Sequence, residues 1–363
     1  MNRWIIPLPP NRTRRNYRGG KLLDQFEGKK GVDSNRPEDW IASLTPARNP
    51  GMPEIENEGL ATIIDDDGNA ILLKTLVEND PVYFLGEQYV NDHGTSPAFL
   101  LKLLDSAIRL NVQVHPTRDF ARQYLDSPFG KLECYYILGA RPGIKPSIRL
   151  GFQHPPDPEE FKRVVMAQDI AAMDTWFDPV PVKPGETWLI PGGMTHAIGE
   201  GLLLVEIQEP SDLTARFEFE RDGIVVPLEA RFLGRDIEFA MEMLDFTPVS
   251  LTETRTRFKL TPRIARKDES CTEELLVDED RVDCFRMKKI TVIAETTLHK
   301  DTQLITFVVV QGKGNIDVNN EHLQVKKGIK FVVPAAADDI NVKPISCESL
   351  ILMGCLPGKN KDG

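Results

Sequence analysis

Asn111-Val112-Gln113-Val114-His115-Pro116, followed after a short gap by Gly130-Lys131-Leu132-Glu133-Cys134-Tyr135-Tyr136-Ile137-Leu138, is the part of the chain whose reading decides the fold. Gln113 and His115 are two residues apart, so on a strand their side chains share a face. The second piece is apolar and aromatic enough to be another strand. It carries one carboxylate, Glu133, among residues that favour burial. A buried carboxylate needs a cation or several hydrogen bonds to offset its lost hydration. An imidazole and an amide oxygen close by would make that cation a metal ion.

The rest of the composition suits a scaffold for such a cluster. At 363 residues the chain has room for two domains and a well-buried core. Its 27 prolines and 26 glycines favour many short elements over long helices. No apolar run approaches the ~20 residues of a membrane helix. Trp4-Ile5-Ile6 is too short for the apolar region of a signal peptide, so a cytoplasmic location and no membrane partner are expected. The net charge of −11 argues against nucleic acid as a partner. A small anion remains possible where basic side chains converge. The basic arm Arg12, Arg14, Arg15, Arg18 and Lys21 reads as a solvated, partly disordered segment. Cys134, Cys271, Cys284, Cys347 and Cys355 are scattered, without a paired spacing, and read as buried thiols.

Taken in order, residues 1–50 read as loop and turn, and Asp65-Asp66-Asp67-Gly68-Asn69 as a turn between short strands. Phe99 to Asp105 is too uniformly apolar to separate strand from helix, and its Lys102 reads locally as a lysine reaching for the surface. Asp157-Pro158-Glu159-Glu160 is a helix start, opening a small helical insertion near 157–175. Strands resume at Thr187–Ile190 and Leu202–Gln208, and Asp236 to Leu244 reads as helix. After about Ser250 further β-rich runs follow, and an echo emerges. Gly328 precedes Pro334 by six residues, as Gly185 precedes Pro191; where His196 follows the first proline, Asp339 follows the second. Two related β-barrels, one equipped for a metal, explain that pattern.

Gln113, His115, Glu133 and His196 are the candidate ligands, a set that suits zinc with an open position, with manganese or iron also compatible. His93, His154, His299 and His322 lie in polar turns or edges and read as solvent-facing. Ser211-Asp212-Leu213-Thr214-Ala215-Arg216 follows the strand ending in Glu206 and Gln208. An Arg216–Asp212 pair could be a surface contact, yet its place after His196 favours the site. Lys131 shares a face with Glu133, and with Lys102 and Arg216 could supply a local positive field.

These motifs, together with Pro191-Gly192-Gly193-Met194-Thr195-His196-Ala197-Ile198, resemble the type I mannose-6-phosphate isomerases, closest to the shorter bacterial members. The resemblance runs over about residues 15–225; beyond that only the β character matches. It implies a mainly β cupin fold: two jelly-roll-like barrels with a small helical insertion. Residues 1–250 would form the zinc-containing catalytic domain and 251–363 a metal-free, cupin-like one. It implies one Zn2+ per chain on Gln113, His115, Glu133 and His196. It places Lys102, Lys131, Asp212 and Arg216 at a sugar phosphate, with Arg216 and Lys131 as catalytic groups. Tyr135 stands where the nearest members have tryptophan, and Ala215 where they have a larger residue, which bears on the choice of sugar.

Aldose–ketose interconversion moves a proton between C1 and C2 through an enediol. It needs a base and a group that stabilises charge on oxygen. Glu206 is the candidate base, with a zinc-bound water as its rival. The alternatives are a related isomerase of another or unphosphorylated sugar and a non-catalytic sugar-binding cupin. A cupin oxygenase is disfavoured because such sites carry His-x-His where this chain has Gln113-x-His115.

Overall fold

The computed structural model describes residues 3–65, 67–300, 302–345 and 347–358. The chain folds into two cupin β-barrels, each built around a seven-stranded antiparallel sheet. In the first, the order is Lys259–Leu260, Thr187–Ile190, Glu133–Ala140, Leu202–Gln208, Leu100–Asp105, Glu38–Ile41, Arg12–Thr13. Facing it is a five-stranded sheet ordered Val180–Pro181, Ser147–Leu150, His196–Ile198, Gln113–Val114, Ala215–Arg216. The second barrel sets its seven-stranded sheet against a four-stranded one, Thr296–Leu298, Ile340–Pro344, Lys313–Val318, Glu321–Lys326.

The two large sheets pack against each other, which explains why their strands lack a readable period. Leu101, Leu103, Cys134, Tyr136, Val205 and Ile207 point outward into an apolar layer shared with Phe285, Met287, Val308, Val332 and Met353 of the second barrel. The alternate residues point into the first barrel, where Leu104, Tyr135, Ile137, Leu202 and Leu204 fill one end. With both faces buried, Phe99 to Asp105 shows no alternation; it is a strand over Leu100–Asp105. Lys102 does not reach the surface: it is buried.

Most of residues 3–50 is loop and turn, as read from the sequence, but the short strands Ile6–Leu8, Arg12–Thr13 and Glu38–Ile41 and the helix Lys21–Phe26 interrupt it. Ile6–Leu8 is an edge strand of the second barrel, paired with Lys330–Val333. Conversely, Lys259–Leu260 pairs with Thr187–Trp188 in the first. The barrels therefore exchange edge strands, and a cut at residue 250 follows neither sheet. The basic arm is ordered as well: Arg15 is buried, and Arg14 holds Glu58. Three helices that the sequence reading did not anticipate, Leu73–Asn79, Pro81–Leu85 and Glu87–His93, cover the apolar layer with Val77, Phe84 and Tyr89.

The helical insertion starts where the sequence places it, Asp157 capping Glu160 N–H at 2.8 Å. It breaks at Gln168, whose φ of 53° is left-handed, giving helices Pro158–Ala167 and Ile170–Asp174. Phe161 and Trp176 lead an aromatic cluster with Phe152 and Phe217 behind the five-stranded sheet. Ile237–Met241 is helical within the expected stretch. Asp65–Asn69 closes the hairpin of Thr62–Ile64 and Ala70–Leu72; its Asp66 lies outside the described residues. His93, His154, His299 and His322 are exposed. Four cysteines are buried, but Cys347 is exposed, in the turn before the Leu350–Pro357 strand. Among the described residues no helix is long and apolar enough to cross a membrane.

One buried ion pair joins the barrels. Lys330 Nζ, on the second barrel, lies 2.5 Å from Asp39 and 2.7 Å from Glu27 of the first. Lys330→Met leaves both carboxylates short of a buried counter-charge, and the expected destabilisation is ~3–5 kcal/mol. Denaturant unfolding of the variant against the parent chain measures it; a loss under ~1 kcal/mol would show the pair to be incidental.

Candidate active site

The site lies between the two sheets of the first barrel. Gln113, His196 and Arg216 come from the five-stranded sheet; Lys102, Glu133 and Glu206 come from the seven-stranded one. His115 follows Gln113–Val114 directly, before Pro116 ends the strand.

Each imidazole is fixed by its far nitrogen. His115 Nδ1 lies 2.9 Å from Leu213 O and His196 Nδ1 2.9 Å from Met194 O. A carbonyl only accepts, so Nδ1 carries the proton in both rings and each Nε2 keeps its lone pair. The two Nε2 atoms meet Glu133, at 3.2 Å from Oε1 for His115 and 3.7 Å from Oε2 for His196. These three residues offer donor atoms all within 4.8 Å of one another. The Gln113 amide is 3.2 Å from His196 Nε2, and a half-turn of its plane presents the oxygen there instead. Burial, with Lys131 adding to it, pushes His115 down to about 3, and burial also lowers His196, so both are neutral. Burial alone would raise Glu133, but Lys131 and the imidazoles hold it well below the usual carboxylate range. Two neutral imidazoles, a carboxylate and an amide suit a divalent ion with N/O preference, and they fit zinc.

Lys131 sits on these donors, 2.7 Å from Glu133 Oε1 and 2.9 Å from His115 Nε2. Lys102 reaches Glu206 Oε1 at 2.8 Å. Burial, assisted by the charge on Glu133, pushes Glu206 up to about 7 against the pull of Lys102. Arg216 faces the same cavity and donates to Ala230 O at 3.1 Å; among the described residues no carboxylate lies within ion-pair distance of it. Burial lowers it to about 10. The Arg216–Asp212 pair considered from the sequence does not form. Asp212 is taken instead by Arg15, whose Nη1 and Nη2 reach its two oxygens at 2.9 and 3.1 Å.

Comparison with known proteins accords with this geometry. A family model described as "Mannose-6-phosphate isomerase, cupin domain" matches residues 279–350, within the part of the chain where the sequence reading had only β character. The chain is 28% identical over 252 residues to the probable mannose-6-phosphate isomerase GmuF of Bacillus subtilis, covering 69% of this chain and 73% of that one. It is 26% identical over 250 residues to the mannose-6-phosphate isomerase of Streptococcus mutans, covering 68% and 72%. In three dimensions it matches mannose 6-phosphate isomerase from Bacillus subtilis with a TM-score of 0.74 at 21% identity, over 97% of this chain and 99% of that one. A zinc-bound mannose 6-phosphate isomerase matches with a TM-score of 0.72 at 16% identity, over 98% and 100%. The chain is thus similar to mannose-6-phosphate isomerases over about two thirds of its sequence and shares their fold over nearly all of it.

Two departures from these relatives noted in the sequence now have places. Tyr135 donates its hydroxyl to Glu133 Oε2 at 2.5 Å, so it adjusts the carboxylate. Ala215 points away from the cavity into the outer aromatic cluster, so its size bears on packing there and not on a bound molecule.

Sequence reasoning missed a trio. Arg15, Tyr17 and Glu38 line the cavity beside the predicted residues. Glu38 accepts from Arg15 Nε at 2.9 Å, Tyr17 OH at 2.6 Å and Trp40 Nε1 at 2.6 Å. Burial alone would raise Glu38; Arg15 and Lys102 hold it well below its ordinary range. The Arg15 guanidinium also lies 4.7 Å from the Trp40 ring centroid. The signal was present: Glu38 and Trp40 are two apart, as Gln113 and His115 are. Arg15→Lys keeps the charge but cannot serve Glu38 and Asp212 together. It should destabilise the fold by ~1–3 kcal/mol, and Arg15→Met by ~3–5 kcal/mol, measured by thermal unfolding. Equal melting temperatures for Arg15→Met and the parent would refute this account of Glu38 and Asp212.

Proposed function

We propose that the chain interconverts mannose 6-phosphate and fructose 6-phosphate, using one zinc ion held by Gln113, His115, Glu133 and His196. The observation that carries the reading is the convergence of two oriented Nε2 lone pairs with Glu133, facing a cavity that Glu206 and Arg216 share. The names borne by the relatives supply the substrate pair. Bound zinc would act as a Lewis acid toward sugar oxygens that gain negative charge.

This chain's own groups do the rest. Glu206 takes the proton from one carbon and returns it to the next; burial brings its carboxyl to about 7, where both protonation states are within reach. Lys102 at 2.8 Å fixes that carboxylate and limits how far burial can raise it. Arg216 has no carboxylate partner among the described residues, so its charge is available to an enediolate oxygen or a phosphate. Lys131, now lying against Glu133 and His115, provides a second cation toward the sugar phosphate. Asp212, held by Arg15, sets the loop that carries Arg216 and so acts by positioning.

Metal content, substrate choice, two variants and the pH profile each test the reading. Metal analysis of the purified chain should give about one zinc per chain, and a chelator should abolish turnover of mannose 6-phosphate, with zinc restoring it. Turnover of free mannose at a rate equal to or above that of the phosphate ester would move the substrate away from sugar phosphates. Glu206→Gln and Arg216→Ala should each lower kcat by about 100-fold or more; wild-type rates in both would remove the proposed roles. Because Glu206 acts as a base only when ionised, kcat/KM should climb as pH rises to about 7 and level off above it. A flat profile from pH 5 to 8 would assign the base elsewhere.

A further inference from the structure

We infer that the second barrel positions the metal-site segment Lys131–Glu133 through a single guanidinium, that of Arg118; the inference rests on the proposed function for its kinetic readout. Arg118 opens the helix Arg118–Tyr124, three residues after His115. It divides its donors between the barrels. Nε gives a hydrogen bond to Glu209 Oε1 at 2.7 Å, while Nη1 and Nη2 reach the two oxygens of Asp283, in the second barrel, at 2.8 and 2.9 Å. Glu209 follows the strand Leu202–Gln208 and is buried. Its other oxygen, Oε2, accepts the Leu132 N–H at 3.1 Å, and its own N–H donates to Leu132 O at 3.0 Å. Leu132 stands between Lys131 and Glu133. The circuit closes through Lys131 N–H, which donates to Pro116 O at 3.1 Å, next to His115.

Arg118 thus ties three segments of the site at one point: the turn after His115, the start of the Glu133 strand and the end of the Glu206 strand. Geometry, not cohesion, is its main product. The Asp283 half of the contact is partly exposed, at the edge of a cleft lined by Tyr89, His93, Arg122 and Phe129, and exposed ion pairs hold domains together weakly. The bidentate fork, however, fixes the plane of the guanidinium and with it the direction of Nε toward Glu209. Displacements of about 1 Å among reacting groups cost up to about 100-fold in rate, so a small loss of aim at Leu132 is felt at Lys131 and Glu133. Arg118 and Asp283 are positioning residues: neither lines the cavity that Glu206 and Arg216 share.

The test uses the full chain loaded with zinc. Asp283→Asn and Arg118→Lys, which keep a donor for Glu209 but lose the charged fork, are expected to lower kcat on mannose 6-phosphate about tenfold with KM nearly unchanged and melting temperatures close to the parent's. Raising the ionic strength from about 0.05 to about 0.5 M, which screens the partly exposed contact, should lower kcat of the parent at saturating substrate and leave that of Asp283→Asn flat. Parent-like kcat and salt response in both variants would overturn the proposal and leave Arg118 a docking contact. If the parent itself fails to turn over mannose 6-phosphate, the functional reading is the part that has failed. Positioning is then read from the rate at which a chelator strips zinc from the chain, which should be about tenfold faster in Asp283→Asn; equal rates would overturn it.

Discussion

The register of the strand Leu202–Gln208 is the constraint on which the rest of the first barrel depends. Glu206 stands opposite Lys102 on one side and Tyr135 on the other. The row continues outward, with Trp40 opposite Lys102 and Trp188 opposite Tyr135. All five side chains point into the barrel. A slip of one residue would turn Glu206 into the apolar layer between the barrels, where Val205 and Ile207 now lie, and would strand Lys102 without its partner. Desolvating a lone carboxylate there would cost far more than any single apolar contact returns. The buried charges are therefore costly to the fold and specify it at once: only one pairing satisfies Lys102, Glu206, Glu133 and Lys131 together.

The same logic separates the two barrels. The second repeats the strand rhythm but fills its interior with Ile290, Phe307, Val309, Ile316, Phe331 and Leu352. Those six side chains are apolar and carry no charge that calls for a counter-ion. Asp339, at the position echoing His196, faces outward and bonds His299 and Lys300 at the surface. The apolar layer between the large sheets in turn depends on both barrels, and the exchange of Ile6–Leu8 and Lys259–Leu260 fastens each to the other by backbone hydrogen bonds.

How much of this was legible in the sequence depended on whether the signal was local. The helix start at Asp157-Pro158 and the strand alternation of Gln113 and His115 are local, and both were readable. So was the unease of Glu133 among apolar neighbours. The local reading of Lys102 as a surface lysine failed because a lysine in an apolar run is ambiguous until the second buried face of its strand is known; only the resemblance placed it at the site. Arg15 was misread for a similar reason. Its partners Glu38 and Asp212 are 23 and 197 residues away, and no window of sequence holds all three. The helix start at Asp80-Pro81, where Asp80 caps Tyr83, went unread, and a helix of five residues carries little signal of its own.

The missed residues differ in kind from the predicted ones. Gln113, His115, Glu133 and His196 advertise themselves by type, since imidazole and carboxylate at strand spacing have few uses inside a barrel. Arg15, Glu38 and Arg118 look like surface residues and become part of the site only through partners brought by topology. Their job differs accordingly. Arg15 fastens the Asp212 loop to the edge strand Glu38–Ile41, and Arg118 fastens the strand ends around Leu132. A cavity whose floor carries several like and unlike charges within a few ångströms is held open only if its walls resist collapse. In this barrel long-range guanidinium–carboxylate contacts supply that resistance. Residue type thus pointed to the cluster itself, while topology decided which distant side chains hold it in place.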